Sequence, residues 1–154
     1  MTNLDPQATA EKASKSLQSR DACAALLGIE IDHVEPGAAT VSMTVAATMS
    51  NGHGTCQGGI LATLADTAFA HAANSYNRVT VGQGISIDFL QPAMLGEKLI
   101  ARASEHHRGR TTGLYEVRIH NADNKLLAVF SGRSFELDQS VFDQLEDPTE
   151  ESHT

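Results

Sequence analysis

The chain reads as an α+β protein in which one long helix lies against a strongly curved antiparallel sheet. Three observations predict this. Only one stretch, residues 58–75, carries a sustained helical rhythm of apolar residues. Two strand-like segments precede it and four follow it, several alternating apolar and polar residues. The later strands are joined by tight turns, which implies antiparallel neighbours. One helix laid on one such sheet is an α+β arrangement.

Residues 1–19 are rich in Ala, Thr, Ser, Gln and Lys and are expected to form a flexible or weakly helical arm. Residues 20–27 fit a short helix that stops at Gly28. Ile29, Ile31 and Val34 predict a first strand, closed by the Glu35-Pro36-Gly37 turn. Val41, Met43 and Val45 alternate with Thr40, Ser42 and Thr44 in a second. A loop with several glycines, residues 49–56, then leads through Gln57-Gly58-Gly59 into the long helix. There Leu61, Leu64, Ala65, Ala68, Phe69 and Ala72 share one face, and the many alanines keep the helix thin enough to lie close to a sheet. After it, residues 79–90 place Ile85, Ile87 and Phe89 on one face, and residues 97–107 form the next strand. The Arg108-Gly109-Arg110 turn precedes residues 111–121, where Tyr115, Val117 and Ile119 alternate with Glu116, Arg118 and His120. A turn at residues 122–125 leads into the last strand, 126–137. Residues 138–154 show no period and are expected to be an acidic flexible tail, leaving residues 20–137 as the single domain.

Charge narrows the function. The formal net charge is −8, and the tail alone carries six acidic residues without a Lys or Arg, so the folded body is close to neutral. That argues against a nucleic-acid binder, which needs clustered cations. No run of about 18 apolar residues exists to span a membrane, and residues 1–17 lack the apolar core of a secretory signal, so a cytoplasmic location is expected. Cys23 and Cys56 make no disulfide framework, and His53, His71 and Cys56 match no metal-site spacing.

The segment Asn51-Gly52-His53-Gly54-Thr55-Cys56-Gln57-Gly58-Gly59, continued by Leu64-Ala65-Asp66-Thr67-Ala68-Phe69-Ala70, resembles the hot-dog-fold thioesterases of the phenylacetic acid degradation (PaaI) type. Ile87-Asp88-Phe89-Leu90-Gln91-Pro92-Ala93 and the start of the strand at Arg110-Thr111-Thr112-Gly113-Leu114-Tyr115 extend the likeness, which spans about residues 25–137. The resemblance implies metal-free and cofactor-free hydrolysis of an acyl-CoA, with phenylacetyl-CoA or hydroxyphenylacetyl-CoA favoured and a medium-chain acyl-CoA as the other candidate. It implies a homotetramer built as a dimer of dimers, with sites at the dimer interface. Residue by residue, it makes Asp66 the nucleophile or general base, the Gly58 backbone N–H the oxyanion donor and Asn51 a residue that positions water or substrate. Gln57 stands where most relatives carry histidine; it keeps hydrogen-bonding ability but cannot take a proton. Gln83 and Ser86 lie near a position where the family often has Ser or Thr.

The residue types suit that chemistry. A helix N-terminus presents unpaired N–H groups and a partial positive charge, and Gly58 and Gly59 let a carbonyl approach without a side-chain clash. Arg108, Arg110, Thr111 and Thr112 offer guanidinium forks and hydroxyls to coenzyme A phosphates. Spacing adds a constraint on assembly. Gly58 and Asp66 are eight residues apart, about 12 Å along a helix, whereas reacting groups must meet within about 3–3.5 Å or one water. One helix cannot easily serve one thioester with both, so composite sites formed by two antiparallel helices across a two-fold axis are expected. Two other readings remain open at this point: a hot-dog acyl-CoA hydratase or dehydratase, which needs a histidine partner for the aspartate, and a non-catalytic acyl-CoA-binding module.

Overall fold

The protein is described by a computed structural model covering residues 3–145. Its elements run α1 (Pro6–Gln18), α2 (Ala22–Leu27), β1 (Glu30–Glu35), β2 (Ala38–Thr44), a 3-10 turn (Ala47–Met49) and α3 (Gly58–Ala73). Then come β3 (Arg78–Phe89), β4 (Lys98–Arg108), β5 (Thr112–Asn121), β6 (Leu126–Ser140) and a second 3-10 turn (Phe142–Leu145). All six strands form one antiparallel sheet in the order β1-β2-β4-β5-β6-β3. The α+β hot-dog architecture expected from the sequence is the one observed.

Alternation builds the core. One inward row runs Val41, Ala101, Ile119, Ala128 and Phe89 across β2, β4, β5, β6 and β3, and the next runs Ala39, Ala103, Val117, Phe130 and Ile87. Small residues on β4 leave room for α3, which presses Leu61, Leu64, Ala65, Ala68, Phe69 and Ala72 into this surface. Phe69 closes the centre with an edge-on contact to Tyr115, ring centroids 5.4 Å apart, a geometry that suits the ring quadrupoles. The helix packs mainly beneath β2, β4 and β5 and less against β3. Ile85 and Phe89, on the helix-facing side of β3, therefore stay 52% and 53% exposed. An apolar strip at this sheet edge is left uncovered.

The termini differ in part from the sequence expectation. Of the two alternatives for the N-terminal arm, flexible or weakly helical, residues 6–18 take the helical one, as a capped helix: Asp5 accepts a 2.6 Å hydrogen bond from the Ala8 N–H, and Pro6 occupies the first helical position. Its buried residues are Ala10, Ala13, Ser14 and Ser16, too small and partly too polar to show a hydrophobic period. At the other end, structure continues through Leu145. Val141 is fully buried and packs with Ala13 and Val79, joined by Leu17 and Phe142, so the expected tail contributes to a second small core. Residues 146–154 lie outside the described residues. Among those described, no helix is long and apolar enough to cross a membrane.

One buried polar pair ties α1 to α3. Ser14 Oγ and His71 Nδ1 lie 2.7 Å apart, and His71 is 2% exposed. Burial lowers the His71 pKa from 6.5 to about 4, against a smaller opposing pull from the Asp21 carboxylate. The unfolded chain protonates this ring near pH 6.5, while the folded chain resists until about pH 4. The unfolded state thus binds more protons in that window, and stability falls as pH drops through it. The loss expected by pH 4 is roughly 3 kcal/mol. Urea midpoints at pH 7 and pH 5 check this: wild type should lose stability between them, and His71→Asn should show a flatter dependence.

Candidate active site

The loop before α3 is organised by Asn51. Its Oδ1 accepts from the N–H groups of His53 (2.9 Å) and Thr55 (3.1 Å), and its Nδ2 donates to Thr55 Oγ1 (2.9 Å). The Gln57 N–H donates to the Met49 carbonyl at 2.7 Å, and the Cys56 N–H to the Ala93 carbonyl at 2.8 Å. These bonds hold the start of α3 against the segment after β3. Between them opens a mainly apolar pocket of about 340 Å³, lined by Asn51, Cys56, Gly58, Leu61, Phe89 and Ala93 among others.

Gly58 is the first residue of α3, and Gln57 is its cap, extended and without a side-chain capping bond. Among the described residues, the N–H groups of Gly58 and Gly59 meet no protein acceptor. The start of α3, with its free donors and the positive end of its dipole, thus lies at the pocket, which Gly58 lines and Gly59 does not. The Gln57 side chain is exposed. Cys56 is buried, and burial pushes its thiol pKa up, so it behaves as a packed thiol and not as a thiolate nucleophile.

Asp66 lies two turns along the same helix and is exposed on its outer side. Its carboxyl is nevertheless held above the usual aspartate value, first by burial and then by the Asp21 carboxylate. The residue as a whole is open to water, but protein surrounds the carboxyl closely enough to weaken its solvation. Asp66 does not line the pocket that contains Gly58. The structure thus joins Gly58 and Asn51 in one pocket and leaves Asp66 apart from them.

The other candidates are spread more widely. Gln83 is exposed on β3, between Gly82 and Gly84 where the pairing with β6 shifts register, and Ser86 is exposed beyond it. Arg108 is held by Glu136, 3.1 Å from its Nη2, and its guanidinium lies 3.9 Å above the Tyr76 ring. Arg110 and Thr112 are exposed and Thr111 is half-buried in the same turn. Tyr76 follows the C-terminal end of α3, which has 16 residues, so this turn sits about 24 Å from Gly58 along the helix. Two residues were not singled out from the sequence. Asp21 caps α2 by accepting from the Ala24 N–H, a readable signal, but its proximity to Asp66 depends on the packing of α2. Phe89 was read only as part of a strand face and of the segment that extends the family likeness, with no site role.

A six-stranded antiparallel sheet packed on one helix, with a glycine-opened helix N-terminus beside an apolar pocket, is a hot-dog arrangement with a candidate acyl site. The thioesterase superfamily profile matches residues 53–128. The chain is 44% identical over 126 residues to the acyl-coenzyme A thioesterase PaaI of Escherichia coli K12, covering 82% of this chain and 90% of that protein. The solved structure of the E. coli PaaI protein, from the phenylacetic acid degradation operon, superposes with a TM-score of 0.87 at 41% identity, covering 88% of this chain and 99% of that one. A hypothetical thioesterase protein from Streptococcus pneumoniae TIGR4, solved with coenzyme A, matches with a TM-score of 0.70 at 27% identity over 73% of this chain and 90% of that one. The chain belongs to the PaaI-type acyl-coenzyme A thioesterases of the thioesterase superfamily.

Proposed function

We propose that the chain hydrolyses arylacetyl-CoA thioesters, phenylacetyl-CoA or hydroxyphenylacetyl-CoA foremost, at two composite sites per homodimer. The observation that carries the reading is the free N-terminus of α3, where the Gly58 N–H opens into an apolar pocket. The thioester carbonyl accepts a hydrogen bond from Gly58 N–H, which stabilises the oxyanion as the carbonyl carbon becomes tetrahedral. Asp66 of the partner subunit attacks that carbon or removes a proton from the attacking water. The C–S bond then breaks and thiolate leaves and takes up a proton; where water has attacked, the products are the free acid and coenzyme A, and where Asp66 has attacked, the mixed anhydride left on Asp66 is opened by water to release the acid and restore the carboxylate. Asn51 keeps the pocket rim in place and positions the water or substrate. Gln57 and Gly59 flank the entrance.

The dimer is supported by the β3 edge. A twelve-residue edge strand with a half-exposed apolar face is a liability unless it is covered. Antiparallel pairing of β3 with its copy lays two α3 helices side by side in opposite directions and brings Asp66 of one towards Gly58 of the other. It also carries the Arg108–Thr112 turn of one protomer towards the site of its mate, where Arg110, Thr111 and Thr112 contact coenzyme A phosphates, with Arg108 anchored behind them. Gln83, on that edge strand, faces substrate across the interface. Dimers pair again into a tetramer. A cytoplasmic location fits this substrate class.

The hydratase reading loses support from His71, the histidine nearest Asp66 on its helix, because it is buried, neutral and bonded to Ser14. The test is CoA release, followed with a thiol reagent, from phenylacetyl-, benzoyl-, hexanoyl- and palmitoyl-CoA. Turnover highest with phenylacetyl-CoA is expected. Binding without turnover across the panel would instead establish an acyl-CoA-binding module, the reading to which the exposed Gln57 lends weight.

A further inference from the structure

We infer that Phe89 is the residue that sets acyl-group selectivity in the Gly58 pocket; this rests on the thioesterase reading above and extends it to the choice of acyl group. Phe89 ends β3 and sits opposite Ala128, a small partner that leaves its ring room to lean towards the start of α3. The ring approaches Gly58 tip-first. A Cβ built on Gly58 would lie 2.9 Å from Phe89 Cζ and 3.3 and 3.4 Å from its two Cε atoms. Gly58 is helical and needs no left-handed backbone. The missing side chain therefore serves a close approach: it lets an aromatic ring stand directly beside the N–H that would hold the thioester carbonyl.

The ring is only partly used by the fold. Phe89 is 53% exposed and lines the pocket together with Leu61 on the helix side. A carbonyl bonded to the Gly58 N–H places the first atoms of its acyl group beside this ring. A flat aryl group one methylene from the carbonyl can meet the ring in an offset or edge-on pair, whereas a linear alkyl chain gains only the burial of its surface. The aromatic pair adds a preference of about 2–10-fold. Phe89 also limits the width of the slot between β3 and α3, so shortening its side chain should admit bulkier acyl groups.

The test compares kcat/KM for phenylacetyl-CoA and hexanoyl-CoA, acyl groups of similar length, in wild type, Phe89→Leu and Phe89→Ala. Phe89→Leu should lower the phenylacetyl-to-hexanoyl ratio about 5-fold. Phe89→Ala should lower it at least as far and raise the relative rate with palmitoyl-CoA. Gly58→Ala supplies an independent arm, because the new methyl displaces the ring without altering it; its ratio should fall as well, and adding Phe89→Leu should change it little further. An unchanged ratio in the Phe89 variants, or an equal loss on both substrates, overturns the inference and leaves Phe89 a structural residue. Absence of wild-type turnover on both substrates would instead refute the thioesterase reading, so the two failures are distinguishable. If Phe89→Leu does not fold, judged by its melting transition, the Gly58→Ala ratio decides.

Discussion

Replacing Asp66 by asparagine is expected to lower kcat by about 10²–10⁴-fold, the range contributed by a positioned base, with little change in KM. Asparagine keeps the size and polarity of the side chain on an exposed helix position, so folding should survive and the loss can be assigned to the missing carboxylate. The pH profile gives a second handle on the same group. In the proposed mechanism Asp66 acts as carboxylate, and burial together with Asp21 holds its pKa above the usual 3.8. The acid limb of kcat/KM should therefore fall at a pH above that value. Asp21→Asn keeps a good N-cap for α2 while removing the neighbouring negative charge, and should shift that limb to lower pH. Wild-type kcat in Asp66→Asn would remove Asp66 from the mechanism, whereas an acid limb that stays in place in Asp21→Asn would leave burial as the cause of the raised pKa. A single turnover in oxygen-18 water then addresses the two roles left open: label in the Asp66 carboxylate establishes direct attack with the anhydride opened at the aspartyl carbon, whereas general-base action puts the label into the acid product and leaves Asp66 unlabelled.

Mixing two inactive variants should restore activity. Gly58→Pro removes the candidate oxyanion donor at a first-turn position where proline is compatible with the helix, and Gln57 before it is already extended (ψ 132°). The loss expected from that donor alone is about 10²–10³-fold. If sites are composite, a heterodimer of Gly58→Pro and Asp66→Asn subunits holds one intact site, with Gly58 from one chain and Asp66 from the other, and one doubly damaged site. Random re-pairing of equal amounts should then recover about a quarter of wild-type activity, because a two-fold interface yields heterodimers in half of all pairings. Differently tagged subunits, co-expressed and purified through both tags, should reach about half. Recovery at neither level would mean that each protomer supplies its own Gly58 and Asp66 to one site, and the proposed pairing through β3 would lose its functional argument.

Some of this was legible in the residues alone. The long helix was readable because α3 buries one face along its whole length, so Leu61, Leu64, Ala68 and Phe69 recur with the helical period. β5 was readable because Tyr115, Val117 and Ile119 face the helix while their neighbours face outward. For α1 a weak helix was one of two alternatives, and Asp5-Pro6 as its opening pair was not read, since the residues it buries give almost no hydrophobic contrast. The end of β6 was missed for a different reason. Residues 138–140 are polar, and what holds them is pairing with β3 and the grip of Asn77, whose Oδ1 accepts from Ser140 Oγ and the Phe142 N–H. No local pattern encodes a partner 63 residues away.

The same division applies to the site. Gly58 at a helix start and Asp66 two turns later are local facts, and a helix of known rise turns them into a distance that already argues for two chains. The sequence by itself therefore determined the central helix and the strands around it, and its resemblance to a known family supplied the hot-dog class, the candidate acid and the candidate oxyanion donor. Tertiary structure alone decided which residues stand beside them: the Phe89 ring against Gly58, Asp21 close enough to raise Asp66, and His71 taken up by Ser14. The physical reason lies in the sheet order. By placing β3 beside β6 at the edge, the fold brings the end of β3 over the start of α3 and leaves an apolar strip uncovered, and that order is set by the burial of the whole sheet on one helix, which no short stretch of sequence encodes.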